Sequence, residues 1–285
     1  MNVALALMTA LMMAGSRRLQ FGEALLASGL RLSYAEQGDP RGPVLILLHG
    51  YSDSWFSFSR ILPLLDPGYH VYALDLRGHG SSDRPPHGYA MGDLAADVLA
   101  FMDERKLDRA TLVGHSMGSL VAQQLAAREP HRVSRLVLIG SVAAPARCPG
   151  LQQIGAAVQQ FGDTVPEEFI REFQLSSVYR PMPADFMRQV IAESRELPIR
   201  VWRGIIEGML AMQPATALGT TGIPTLVLWG ERDALFERAD QRELLHLIGT
   251  AELVVYPQTG HTPHWERPED VAADLRAFLA RTASR

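Results

Sequence analysis

The chain of 285 residues has one cysteine, Cys148, so no internal disulfide can staple it. The thiol's Pro- and Gly-rich surroundings, residues 145–150, read as a loop. There is no run of basic residues: 27 Lys and Arg are interspersed with 31 Asp and Glu, and the formal net charge of -4 gives no electrostatic footprint for nucleic acid. The paired Cys-x-x-Cys and His-Glu-x-x-His spacings of metal sites are missing, as is the lysine of a phosphate-binding loop. Gly78-His79-Gly80-Ser81 lacks the pattern of a dinucleotide loop. Neither a metal nor a cofactor is expected. No internal repeat, low-complexity tract or bilayer-length apolar run occurs. These absences leave a small molecule as the expected partner, acted on by ordinary side chains, and say nothing of oligomeric state.

Residues 1–18 form an apolar N-terminal extension. Its stretch 3–14 has the length of a signal-peptide core, and Ala14-Gly15-Ser16 offers a small-x-small cleavage site. No Lys or Arg precedes that stretch, however, and Arg17 and Arg18 follow it, which reverses the charge order of an export signal. The charge order favours a cytoplasmic protein, with export as the alternative.

With 47% hydrophobic residues the chain can bury the core of one large domain carrying an insertion. Residues 30–36 alternate as a half-buried strand, and residues 44–48, 71–74, 111–113, 136–139, 224–229 and 252–256 are short apolar runs of the kind buried on both faces of a parallel sheet. Helical spacing separates them, including a helix expected after Trp55 that continues through Ile61 and Leu65. Strands alternating with helices predict an α/β, doubly wound, mostly parallel sheet. The rhythm breaks after the sixth core strand. Residues 142–221 show four helical patterns, at 151–161, 165–175, 183–197 and 198–212, and no convincing strand. The expected organisation is therefore core at 19–141, a helical lid at 142–221, and core again at 222–285.

Open α/β sheets carry function at the carboxyl ends of their strands, so the residues that follow each run are the candidates. After Val113 comes Gly114-His115-Ser116-Met117-Gly118, a Gly-x-Ser-x-Gly pentad between strand and helix, whose small flanking residues suit a sharp turn that lifts the serine hydroxyl. After Trp229, Gly230-Glu231-Arg232-Asp233 puts a carboxylate in a loop; after Tyr256, Pro257-Gln258-Thr259-Gly260-His261 does so with an imidazole. Serine, aspartate and histidine then occur in the chain order of one class of serine hydrolase.

On these residues the chain resembles the α/β-hydrolase fold family, in particular its lidded, serine-nucleophile branch of esterases, lactonases, carbon–carbon hydrolases and cofactor-free haloperoxidases. Further matching pieces are His49-Gly50, Asp75-x-Arg77-Gly78-x-Gly80-x-Ser82, and Gly260-His261-x-Pro263 followed by Glu266-x-Pro268-Glu269. The likeness spans residues 30–279, except for the lid interior. One departure is Ala234-Leu235-Phe236 after Asp233, where the family often has a proline.

The resemblance implies Ser116 as nucleophile, His261 as general base and acid, Asp233 as the group that orients His261, and the backbone N–H groups of Tyr51 and Met117 as oxyanion donors. Glu231 and His264 are the rivals of Asp233 and His261. His49, His115, Trp202 and His264 are candidate pocket residues, with structural hydrogen bonding the alternative for the two that flank the turns. Asp75 and Arg77 are expected to pair. Epoxide hydrolases and haloalkane dehalogenases of the family have aspartate at the elbow, so Ser116 favours acyl chemistry. The aromatic and methionine content of the lid, including Phe173 and Met209, suits an apolar pocket. The expected substrate is a small or medium, mainly apolar carboxylic ester or lactone. Carbon–carbon hydrolysis or perhydrolysis with the same triad is the alternative, and a non-catalytic ligand receptor is the reading from another class.

Overall fold

Each buried apolar run needs partners for its backbone groups and cover on both faces, and a parallel sheet supplies the first. The computed structural model describes residues 18–282; most of the N-terminal extension, and with it the question of export, lies outside those residues. The strands are β1 (Gln20–Leu25), β2 (Arg31–Gly38), β3 (Val44–Leu48), β4 (His70–Leu74), β5 (Ala110–His115), β6 (Val133–Ile139), β7 (Thr225–Gly230) and β8 (Ala251–Tyr256). They form one eight-stranded sheet in the order β1-β2-β4-β3-β5-β6-β7-β8. Antiparallel pairing joins β1 to β2 and β2 to β4, and every other pairing is parallel.

Register decides where the chemistry converges. Leu48 stands beside Gly114, His115 and Leu228 beside Ile139, and Gly230 beside Tyr256. The carboxyl ends of β3, β5, β6, β7 and β8 are therefore level, and the loops that follow them share one edge of the sheet. Alternate residues serve opposite faces: Ile46, Leu48 and Leu112 enter one apolar cluster, and Leu45, Leu47 and Val113 the other. The first cluster is covered by α1 (Met91–Glu104) and α2 (Met117–Arg128), the second by α10 (Pro268–Thr282), reached after α8 (Arg238–Leu247) and the single turn α9 (Pro263–Glu266).

Between β6 and β7 the chain is helical: α3 (Pro149–Gln160), α4 (Glu167–Ser176), α5 (Ala184–Arg195), α6 (Ile199–Leu210) and the short α7 (Leu218–Thr221). Pro149 opens α3, and Pro166, Pro183 and Pro198 sit at the N-caps of α4, α5 and α6. The fixed φ of proline, and its missing N–H, suit helix starts and separate one helix from the next. No described helix is long and apolar enough to cross a membrane.

Two local expectations are corrected, and one strand had no expectation to meet. The helix after Trp55 is two short 3-10 helices, Trp55–Phe58 and Leu62–Leu64. Pro63 has no N–H to continue a ladder, and the Ser54 hydroxyl accepts from the Phe56 N–H instead. The segment around Cys148 is not an open loop: Pro145–Arg147 is a 3-10 turn, Cys148 is buried, and burial pushes its thiol up to about 12. The edge strand β1 has no clean alternation to announce it, since Phe21 and Leu25 are both exposed and Gly22 interrupts the run.

Candidate functional site

The strand β5 stops at His115 and α2 starts at Met117, so Ser116 alone makes the turn, at φ 47° and ψ -115°. A non-glycine residue at positive φ is strained and needs holding. The Ser116 N–H donates to Ile139 O at 2.9 Å, and the Ser119 hydroxyl donates to Ser116 O at 2.5 Å. The turn is tight enough to exclude side chains on either side. A Cβ on Gly114 would lie 2.4 Å from Gly118 O, and one on Gly118 would lie 2.0 Å from Leu48 O.

The loops after β7 and β8 are laced together before any side chain meets. Glu231 N–H donates to Tyr256 O, and Arg232 N–H to Thr259 O. This brings Asp233 to His261: Nδ1 of the ring lies 2.8 Å from Asp233 Oδ2, with both side chains buried. Asp233 Oδ1 accepts from the backbone N–H groups of Leu235 at 2.8 Å and Phe236 at 3.1 Å. A carboxylate fixed by its own loop gives the imidazole one orientation, with the proton on Nδ1. The other ring nitrogen, Nε2, is buried without a hydrogen-bond partner among the described residues. Glu231 is exposed and plays no part in this pair.

Ser116 and His261 line one cavity of about 30 Å³, with Tyr51, Asp53, His115 and Gln174 contributing polar groups and Leu151, Phe173, Met209, Leu235 and Trp265 forming an apolar wall. Met117 is the first residue of α2, so its N–H has no intrahelical acceptor. Tyr51 lies in the turn after β3, and among the described residues its N–H also finds no backbone acceptor.

Of the four residues expected in the pocket, His115 alone lines it. The other three are corrected. His49 is fully buried; its Nδ1 donates to Gly50 O and its Nε2 accepts from the Leu76 N–H. Burial, then the neighbouring His79, depresses its basicity far below the ordinary imidazole range, so it stays neutral as that pair of bonds requires. His264 packs on Phe58 and His115, contacts the Ser57 hydroxyl at 3.2 Å, and is held down to about 3 by burial. Trp265, one residue on, faces the cavity in its place. Trp202 stands behind the wall, edge-on to Tyr51 at 4.8 Å and Phe173 at 5.7 Å. His115 is also kept neutral, by burial and by the rings of His264 and His261. Its Nε2 donates to His261 O at 3.2 Å, which ties the elbow to the histidine loop.

The expected Asp75–Arg77 pair does not form. Arg77 makes a two-pronged bond to Asp97 on α1, while Asp75 accepts from the N–H groups of Trp55 and Ser81. A carboxylate at a strand end is better served by loop N–H groups than by a guanidinium that would have to fold back on its own turn. Burial raises Asp75 to about 6.

Several site groups had no sequence signal. Asp53 is buried against the cavity, and desolvation pushes it up to about 7 in spite of hydrogen bonds from Gln174 and Ser57. Gln174 on α4 is buried and donates to Ser52, Asp53 and Ser194. Glu266, quoted above only as part of a motif, accepts from Gly260, Tyr179 and Arg180 N–H groups and so joins the histidine loop to the α4–α5 connection. Among the described residues no group of three or more His, Cys, Asp or Glu is arranged to hold a metal.

Comparison with known proteins accords with this geometry. Lipase 3 of Moraxella sp. (strain TA144) is 27% identical over 279 residues, covering 89% of this chain and 82% of that protein. Epoxide hydrolase 3 of Xenopus tropicalis is 26% identical over 291 residues, covering 88% of this chain and 75% of its own. A crystallised membrane phospholipase A, described as a bacterial virulence factor, superposes with a TM-score of 0.83 at 28% identity, over 99% of this chain and 91% of that one. A family model for the alpha/beta hydrolase fold matches residues 43–268. The chain belongs to the α/β-hydrolase fold family.

Proposed function

We propose that this hydrolase is a serine enzyme that cleaves a small or medium, mainly apolar carboxylic ester or lactone through an acyl-serine intermediate. The observation that carries the reading is the 2.8 Å contact between His261 and Asp233, which leaves Nε2 of the same ring without a partner on the cavity that Ser116 lines. The relatives' names, a lipase and a phospholipase, point to ester bonds. The epoxide hydrolase likeness is weighed against the elbow residue: a serine hydroxyl suits acyl transfer, and the carboxylate that family members use to open epoxides is missing at 116.

In this mechanism the Ser116 hydroxyl attacks the ester carbonyl while His261 Nε2 takes its proton. Asp233 steadies the resulting imidazolium without accepting the proton. The tetrahedral oxyanion is met by the Met117 and Tyr51 N–H groups, the kind of preset donor whose loss costs about 2.7–4 kcal/mol of transition-state stabilisation. Collapse breaks the acyl–oxygen bond, and the leaving alkoxide takes the proton from His261. Water then repeats the sequence on the acyl-serine, releasing the acid and restoring the hydroxyl.

The cavity of about 30 Å³ has room for roughly one water. Binding therefore requires the apolar wall of Leu151, Phe173, Met209 and Leu235 to give way, which favours acyl groups that replace those contacts with their own. Two measurements on the whole chain test the reading: labelling by a fluorophosphonate, and rates on a chain-length series of p-nitrophenyl esters and lactones with wild type and Ser116→Ala. Label on Ser116 and loss of all ester turnover in the variant are expected. Turnover that survives in Ser116→Ala refutes the serine mechanism.

A further inference from the structure

The turn that carries Tyr51 is strained, and its own closing bond, from Asp53 N–H to Gly50 O, is a long one at 3.3 Å. Ser52 sits at φ 64°, a conformation that favours glycine, and is fully buried. Besides the Ser57 hydroxyl, which donates to Asp53 Oδ2 at 3.4 Å, the side chains that hold the turn come from the helical insert. The Ser194 hydroxyl on α5 lies 3.0 Å from Ser52 O and 3.0 Å from Val190 O of its own helix, and its one proton is shared between these two acceptors. Gln174 Nε2 on α4 reaches Ser194 Oγ at 2.8 Å, Asp53 Oδ1 at 3.1 Å and Ser52 Oγ at 3.2 Å. The Tyr51 hydroxyl donates to Trp202 O on α6 at 2.6 Å. Gln174 and Ser194 are 1% and 0% exposed, so bulk solvent does not compete for these bonds.

We propose that Gln174 is a positioning residue: by bridging Ser52, Asp53 and Ser194 it fixes the peptide at Tyr51 so that its N–H points to where the oxyanion forms. The helical insert then does more than cover the substrate; it completes the oxyanion hole. This rests on the serine-hydrolase reading above. The two diverging N–H bonds of one amide are shared among acceptors on two consecutive turn residues and on a second helix, so at least one of these bonds is bifurcated. A donor misaimed by about 1 Å loses much of its effect on a developing charge, of the order of 10²-fold in rate. The step affected is formation of the tetrahedral intermediate, whereas ground-state binding of the ester's apolar part is served by other residues.

The test is steady-state kinetics of Gln174→Met, which keeps most of the volume and removes the donors, and of Ser194→Ala as the milder variant, each with its rate of Ser116 labelling by a fluorophosphonate. The proposal expects kcat of Gln174→Met to fall by about 10- to 100-fold with KM within about threefold, labelling to slow in parallel, and Ser194→Ala to shift both in the same direction by less. Kinetics of Ser194→Ala stand alone if Gln174→Met does not fold. A lower melting temperature with kcat and labelling within about twofold of wild type overturns it, as does a rise in KM at unchanged kcat, which would make Gln174 a pocket wall only. Failure of the serine reading looks different, because Ser116→Ala would then retain turnover whatever Gln174 does.

Discussion

The carboxylate of Asp233 is held by the N–H groups of residues two and three places further along its own loop, whereas the turn of Tyr51, closed locally by a 3.3 Å bond from Asp53 N–H to Gly50 O, is also held by side chains and a carbonyl that follow it by 121 to 151 residues. In the proposed mechanism both carry a group that must be aimed within a fraction of an ångström, and the side chains that aim them come from different parts of the chain. The histidine–aspartate half is built on the sheet, whose level strand ends bring the two loops together, with one backbone bond of 2.8 Å from His261 N–H to Ser177 O of the insert. The oxyanion half is shared with the insert. The insert meets the His261 loop through the Ser177 carbonyl and, at Glu266, through the Tyr179 and Arg180 N–H groups, not through the Gln174 side chain, so loss of that side chain should reach the oxyanion side of Ser116 and spare the other.

The largest effect that separates the two halves is expected at the core side. His261→Ala should lower kcat by roughly 10⁴-fold or more, and Asp233→Asn by about 10⁴-fold, with little change in KM. Steady-state kinetics on a p-nitrophenyl ester check this, and activity within tenfold of wild type would remove the pair from the mechanism. Next comes the insert side, with the smaller loss expected for Gln174→Met. Equal losses at Gln174 and His261 would erase the distinction drawn between the halves.

A third effect concerns the wall. Phe173→Ala should move the preferred acyl chain to greater length by opening the cavity against Tyr51 and Trp202, raising kcat/KM for long esters relative to short ones by about tenfold. The chain-length series reads it directly, and an unchanged profile would place the acyl group elsewhere.

The smallest effect is on stability. Burial holds Asp53 and Glu193 up to about 7 and Asp75 up to about 6, while the unfolded chain ionises them near 4. Between those values the folded state binds more protons, so stability falls as pH rises from about 4 to about 7 and levels off above. Asp53→Asn should flatten that slope, by a few degrees in Tm across the range. Thermal melts at successive pH values test it, and a slope of equal size in the variant would mean that Asp53 ionises normally.

The same division explains what was readable in advance. Gly114 to Gly118, Asp233 and His261 announce themselves because local backbone demands, a turn with no room for Cβ and a strand end feeding a loop, leave residue types at fixed spacing. The four helices of the insert were legible from their period and from Pro166, Pro183 and Pro198. The oxyanion turn's supports were not, since nothing in Gln174 or Ser194 as residues on amphipathic helices marks which of them turns inward to a strained peptide far back in the chain. Likewise His264 and Trp265 are neighbours in sequence, and only the direction of the single turn α9 decides which of them meets the cavity. The 3-10 helices after Trp55 eluded periodicity because Ser54 and Pro63 overrule the apolar pattern.

The central claim, that Ser116 carries the acyl group, is tested most directly by rapid acid quench of the wild-type enzyme with a p-nitrophenyl ester, followed by mass analysis of its peptides. The account predicts the mass of one acyl group on the peptide containing Ser116, appearing with the first equivalent of nitrophenol. Ester turnover with no acylated peptide, or with the acyl group on another residue, would contradict it.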